Sequence, residues 1–461
     1  MSTSEEIELI TELEEKGLTL EQYRAALLNT FMYLDIFTND EKNGYCYEEI
    51  SNEIEAGMTI DDLLQILGRY ARYTDRNSTR QVYYSILTDA VKKDVAFGNF
   101  EVSYMSRRMT REETGMEFNE GTNAMIFIDP IKQAVYVTYR GTSKGEWGDN
   151  CERFNCKNIH DLTPQMEQTL CYFEYVAKQM GWTQESIIYV TGHSQGGNDA
   201  QISLLLSPYG KFVNACFSFD GEGHSPELLE DVKRLYGVEE YENRINRMYS
   251  ICGEYDFVNH LGEKVILESN TIYIHCNIDK WTKVHDITSM FCDESFCYNG
   301  MINTSKGTAP SWVTHYTAQV WEELCKMPDD MRASCQAAVM QLAEGFVSGG
   351  KCWVGLNGEC ASLNDYAVFL KYGVSMLIDS AGKTVLQIYM DKMVNGYACE
   401  VINKIAETGL ISKSIAIGMK DTIREMAKEY LNRYGIKKEK KQYKAIEWDI
   451  DKIITICRGY K

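Results

Sequence analysis

The sequence contains no Cys-x-x-Cys pair. Two cysteine pairs, Cys151/Cys156 and Cys292/Cys297, each enclose four residues, but neither is followed by histidines at zinc-ligand spacing. The usual structural zinc modules are thereby excluded, and no metal or organic cofactor is expected. Positive charge is also in short supply, with 47 Lys and Arg against 67 Asp and Glu and a formal net charge of −20. Such a balance repels nucleic acid and anionic membrane surfaces, so no nucleic-acid partner is expected. The one basic run, Lys437–Lys441, reads as a solvated helix end. No run of about 18 apolar residues occurs, so no transmembrane segment is expected. The first residues, MSTSEEIELITELEEKG, lack the basic and apolar regions of a signal peptide. A cytoplasmic location is the expectation, with leaderless secretion as the other route.

What is present is ordinary for a soluble protein: 461 residues, 44% apolar and 25% charged. The length allows two or three domains and a large core without disulfides. Fifteen cysteines, an odd number, are scattered from Cys46 to Cys457. They read as reduced, partly buried small hydrophobes, which favours a reducing compartment.

The texture divides the chain into three regions. Residues 1–95 carry helical spacing in SEEIELITELEEKG, TLEQYRAALLNTFMYLDIF, TIDDLLQILGRYARY and TRQVYYSILTDAVKKDV, without an evident reactive group. Residues 96–300 alternate short β-rich runs with helical ones. Strands are expected in AMIFID, QAVYVTYRG, SIIYVT, FVNACFSFD, NRMYSICG and NTIYIHC. A helix is expected after Thr163-Pro164, an N-cap and first-turn pair. Strands separated by helices imply an α/β fold with a mostly parallel sheet and helices on both faces. Residues 301–461 return to helical texture in WVTHYTAQVWEELCKM, MRASCQAAVMQLAEGF and IREMAKEYLNRYG. These helical flanks could cap a pocket, bind a protein partner or deliver the molecule.

The stretch SIIYVTGHSQGGNDAQISLLL contains Gly-His-Ser-Gln-Gly around Ser194. Five letters are weak, but the strand before and the helix after are the context that a nucleophile elbow requires. Gly192 and Gly196 flank a tight, strained turn, and the N–H of Gln195 opens a helix whose positive end faces the serine. A serine hydroxyl needs a base to take its proton and a carboxylate to orient that base. In this arrangement the acid and then the histidine follow the serine along the chain. Asp256, in GEYDFVNHLG after one strand, is the candidate acid, with Asp220 in FSFDGEG as its rival. His285, in NIDKWTKVHD after the next strand, is the candidate base, with His260, His315 and, within a strand, His275 as rivals among only seven histidines. Thr142, after Arg140-Gly141 at a strand end, is the candidate second oxyanion donor beside Gln195. Asp199 reads as an early-helix carboxylate.

With VYVTYRGTSKGEW, IIYVTGHSQGG, GEYDFV and VHD in place, residues 95–300 resemble the class 3 lipase family, within the α/β-hydrolase fold. GHSQGGN and FSFDGEG look closer still to an uncharacterised bacterial lipase-like branch. The resemblance implies a serine hydrolase acting on ester or lipid substrates, with nucleophile Ser194, acid Asp256, base His285 and oxyanion donors Thr142 and Gln195. It departs from the family at Gln195, where Leu is commoner. It departs again in SKGEWGDNCERFNCKN, which is polar where family lipases often carry an apolar lid. Two other functions remain open: a phospholipase-type toxin or effector using the helical flanks for delivery, and a non-catalytic binding module that retains a relic elbow.

Overall fold

The computed structural model describes residues 4–34, 50, 53–76, 78–118, 122–142, 147–256, 258–277, 283, 285–305, 412–436 and scattered positions between 327 and 407. Two compact units divide the chain. One comprises residues 1–142 and 153–317, the other residues 143–152 and 318–461. The second unit holds the described helix Lys413–Ile436 and most of the helix Trp147–Arg153, and Lys420 Nζ donates to Asn403 Oδ1 at 2.6 Å. The sequence-derived helix at residues 312–327 falls outside the described residues except for its last position, and of the one at residues 331–346 the described positions, 331, 332, 334 and 335, are helical. Among the described residues, no helix is long and apolar enough to cross a membrane.

The first unit is built on a seven-stranded sheet whose spatial order follows the chain. The strands are β1 (Glu101–Ser103), β2 (Ala124–Asp129), β3 (Ala134–Tyr139), β4 (Ile187–His193), β5 (Ala215–Phe219), β6 (Met248–Gly253) and β7 (Thr271–Ile274). β1, β2 and β3 pair antiparallel, and β3 through β7 are parallel. The β2–β3 hairpin turns at Asp129-Pro130, where Asp129 Oδ1 accepts the amides of Ile131 and Lys132. β3 leads to β4 through the helix Pro164–Gln179, which Thr163 caps by accepting the Met166 amide. β4 leads to β5 through Gln195–Leu206, and β5 to β6 through Pro226–Tyr236 and Val238–Ile245. This is an α/β-hydrolase core with a mostly parallel sheet. The sequence reading lacked the short edge strand β1 and the two helices before β6.

Right-handed crossovers between neighbours taken always in one direction place their helices on one face of a sheet. The strand side chains divide accordingly. Ile126, Val135, Val137, Ile188, Val190 and Cys216 join the core formed with the crossover helices. Their alternate neighbours Met125, Phe127, Tyr136, Phe217 and Phe219 join the core formed with the N-terminal helices. The second face is therefore covered by the start of the chain. The helix Leu20–Met32 opens with a capping box in which Thr19 and Gln22 satisfy each other's amides. Phe31 meets Phe127 edge-on at 5.4 Å, and Asn29 Nδ2 donates to Thr191 Oγ1 at 2.7 Å. Arg24, 1% exposed, ties this layer down. Its guanidinium grips Asp94 through two bonds of 2.7 and 2.9 Å and reaches Asp129 at 3.4 Å.

Candidate active site

β4 ends and the helix Gln195–Leu206 begins with one residue between them, Ser194. Its backbone sits at φ 60°, ψ −130°, a region that residues other than glycine seldom occupy. The Ser194 amide donates to Phe219 O at 2.9 Å, and its carbonyl accepts the Gly197 amide at 2.8 Å. The flanking glycines are demanded by packing. A Cβ on Gly192 would collide with the backbone of Gly196 and Gly197, and one on Gly196 with the backbone of Tyr139 and Arg140. The turn therefore closes only with glycine on both sides, and it raises the serine hydroxyl at the C-terminal edge of the parallel strands.

Ser194 Oγ lies 2.7 Å from His285 Nε2, and His285 Nδ1 lies 2.6 Å from Asp256 Oδ1. A carboxylate only accepts, so Nδ1 carries the ring proton and Nε2 is left to accept the serine proton; the tautomer is assigned from these partners. Asp256 is fully buried, in the loop after β6, and its Oδ2 accepts the Asn259 amide at 2.9 Å. The His285 side chain is 21% exposed. The structure thus brings together Ser194, Asp256 and His285 from three separate loops. His260 lies buried in the turn Val258–His260, and His315 is outside the described residues.

Asp220, the rival carboxylate, is in a different position. It ends β5 at φ 46°, and its Oδ1 accepts the Gly253 amide at 2.8 Å. Its Oδ2 faces His193 Nε2 at 3.8 Å. Burial and then the neighbouring Asp256 charge push its carboxyl well above the usual carboxylate range, against the Gly253 hydrogen bond. Both causes disfavour the charged form of Asp220. Asp199 is a buried partner of Arg153, its Oδ1 2.7 Å from Nη1, rather than only an early-helix charge.

At the end of β3, Gly141 lies against the elbow. A Cβ there would come within 3.0 Å of Ser194 Cβ and 2.7 Å of His193 O. Thr142 is the next residue in the chain. Gln195 occupies the first position of the helix, where the backbone N–H lies outside the intrahelical ladder. Its side chain turns away and donates Nε2 to Gln165 Oε1 at 2.7 Å. Of the polar segment after Thr142, residues 143–146 are outside the described residues, and Trp147–Arg153 is helical.

His193, Asp220 and His285 each bring one donor atom within 4.8 Å of the others. Two imidazoles and a carboxylate are a donor set for zinc and similar ions. Both His285 nitrogens are already engaged by Ser194 and Asp256, so an ion held there would withdraw His285 from the serine.

Local periodicity gave no sign of two tyrosines. Tyr33, just after the helix Leu20–Met32, has its hydroxyl 2.7 Å from His193 Nδ1. It also takes the Gly141 amide. Tyr83 donates to both carboxylate oxygens of Asp286, 3.0 Å each.

Sheet order, elbow and hydrogen-bond chain together define a lipase-like member of the α/β-hydrolase class. The chain belongs to the Mbeg1-like family, whose model matches residues 91–323. No curated protein matches it. Among solved structures, M37 lipase is 14% identical, covering 44% of this chain and 70% of that one at a TM-score of 0.26. A fungal lipase is 12% identical, covering 66% and 94% at 0.30. The Rhizomucor miehei lipase, solved with its propeptide, is 17% identical, covering 50% and 82% at 0.25. Likenesses this slight add nothing to what the strand order and the elbow already define.

Proposed function

We propose that this protein is a serine hydrolase that cleaves carboxylic esters through an acyl-enzyme. The observation that carries the reading is the unbroken chain Ser194–His285–Asp256, 2.7 and 2.6 Å long, on a serine whose backbone is held at φ 60°. His285 takes the Ser194 proton as Oγ attacks the ester carbonyl. The amides of Thr142 and Gln195 receive the oxyanion, and the dipole of the helix Gln195–Leu206 adds to that field. His285 then passes its proton to the departing alcohol. A water, deprotonated by the same imidazole, releases the acid and restores Ser194. Asp256 fixes the tautomer and stabilises the imidazolium. The assembled hydrogen bonds favour a working elbow over a relic one. GHSQGGN and FSFDGEG support the finer assignment to a bacterial lipase-like branch.

The test is a p-nitrophenyl ester series of increasing acyl length, run on wild type and Ser194→Ala, with fluorophosphonate labelling alongside. Wild type should label and turn over, and Ser194→Ala should lose about 10⁴-fold or more in kcat. Wild-type activity in Ser194→Ala would end the proposal.

A further inference from the structure

We infer that the N-terminal helical layer is part of the active site, with Tyr33 and Tyr83 as positioning residues for His285. The inference rests on the hydrolase reading above and extends it to residues far from the elbow.

The first contact runs through His193. Its ring packs against that of His285, centroids 4.9 Å apart and tilted by 31°. His193 is buried, and burial followed by the facing His285 ring holds its pKa well below the ordinary histidine value. A neutral imidazole has one donor and one acceptor nitrogen. Burial likewise raises the Tyr33 phenol far above its usual range, so Tyr33 keeps its proton and can donate it to His193 Nδ1 at 2.7 Å. That leaves the His193 proton on Nε2. This nitrogen faces Asp220 Oδ2 at 3.8 Å. Tyr33 thereby fixes a ring that in turn backs His285. The Tyr33 and His193 rings meet edge-on at 5.4 Å, and the Arg140 guanidinium lies 5.4 Å over the Tyr33 ring.

The second contact grips the neighbouring residue. Tyr83, 8% exposed, donates to both oxygens of Asp286. Asp286 also accepts the amide and hydroxyl of Thr288, 3.0 and 2.8 Å from Oδ1. It therefore anchors the turn Ile287–Phe291 to the helix Thr79–Lys93. Burial and then the Asp286 charge raise the Tyr83 phenol well above its ordinary value, which keeps it a donor. Tyr33 and Tyr83 touch each other, centroids 5.9 Å apart, so the two clamps form one unit. The base sits on a loop rather than on a strand, and an imidazole displaced by about 1 Å can cost about 100-fold in rate. The clamp prevents that displacement.

The experiment uses the full chain and the substitutions Tyr33→Phe and Tyr83→Phe, singly and together. Each removes a hydroxyl and keeps the ring. We expect kcat on a p-nitrophenyl ester to fall about 10- to 100-fold in the double variant, with KM unchanged within about twofold. The single variants carry the same test should the double one not fold. Unchanged kcat in Tyr33→Phe and Tyr83→Phe would overturn the inference. A cycle with His285→Ala separates positioning from general weakening of the fold. It is run on Tyr83, because the Tyr33 hydroxyl also takes the Gly141 amide. Tyr83→Phe should cost nothing further once His285 is gone, and an equal loss in that background would refute positioning. The NMR signal of the His285 Nδ1 proton is the arm independent of turnover. It should broaden or vanish in the double variant, and its survival unchanged would also overturn the inference. If wild type does not label with fluorophosphonate, the hydrolase reading falls, and the NMR arm alone decides on the clamp.

Discussion

Exchanging Ser194 for glycine rather than alanine isolates the conformational cost of the elbow. Both substitutions delete Oγ and the 2.7 Å contact to His285 Nε2. They differ in the Cβ, which must be carried at φ 60°, ψ −130°. A side chain held in so sparsely populated a region costs about 1–3 kcal/mol. Glycine avoids that cost but gains freedom in the unfolded chain, which takes back about 0.4–1 kcal/mol. Ser194→Gly should therefore be about 1–2 kcal/mol more stable than Ser194→Ala. With a urea m-value of about 3 kcal/mol/M, its unfolding midpoint should lie about 0.3–0.7 M higher. Urea titration followed by tryptophan fluorescence measures this, with both proteins inactive toward esters. A midpoint for Ser194→Gly at or below that of Ser194→Ala would refute the view that the turn holds its central residue under strain.

Asp256→Asn should lower kcat by about 10⁴-fold, whereas Asp220→Asn, which resembles the protonated carboxyl, should stay within about tenfold of wild type; steady-state kinetics with the reverse order would make Asp220 the acid. His224 offers a pH test. It is buried between Asn198, whose amide faces Nδ1, and Gln201, whose carbonyl faces Nε2, and burial followed by the Arg153 charge lowers its pKa to about 3. The unfolded chain takes this proton near pH 6.5 and the folded one does not until about pH 3, so stability should fall as pH drops through that window, by up to about 5 kcal/mol. Urea melts at pH 7 and pH 4 should register the fall, and His224→Gln should flatten it. Arg24→Ala strands the Asp94 and Asp129 carboxylates in the interior and should cost about 3–5 kcal/mol, read as a loss of thermal midpoint; an unchanged midpoint would mean that the guanidinium does not hold the N-terminal layer.

Much of the core was legible because its signals are local. Ile187–Val190 is a dense apolar run before a glycine turn, and Thr163-Pro164 marks a helix start by side-chain chemistry alone. Ser194, Asp256 and His285 could be singled out because each follows a strand, and strands of a parallel sheet deliver their loops to the same edge. The edge strand β1 escaped because three residues carry too little alternation to register. The helices before β6 escaped because they are short, 11 and 8 residues, and Gly237 interrupts their period. The N-terminal region was read as lacking reactive groups, and within itself it does. Tyr33 acquires meaning only by meeting His193, 160 positions away, and no window along the chain contains both. The upward push on the Asp220 carboxyl was hidden for the same reason, since it comes from burial and then from Asp256, which arrives from the next strand.

One-directional winding leaves the sheet bare on the side where no crossover passes. The family match starts at residue 91, after the helices that close that side. A recombinant fragment trimmed to the match would turn Tyr136, Phe217 and Phe219 out to water, and such a surface self-associates. Anyone wishing to produce the hydrolase part alone must begin it ahead of Leu20. On the ribosome the order is favourable, because the cover is made first and waits for the strands it will shield.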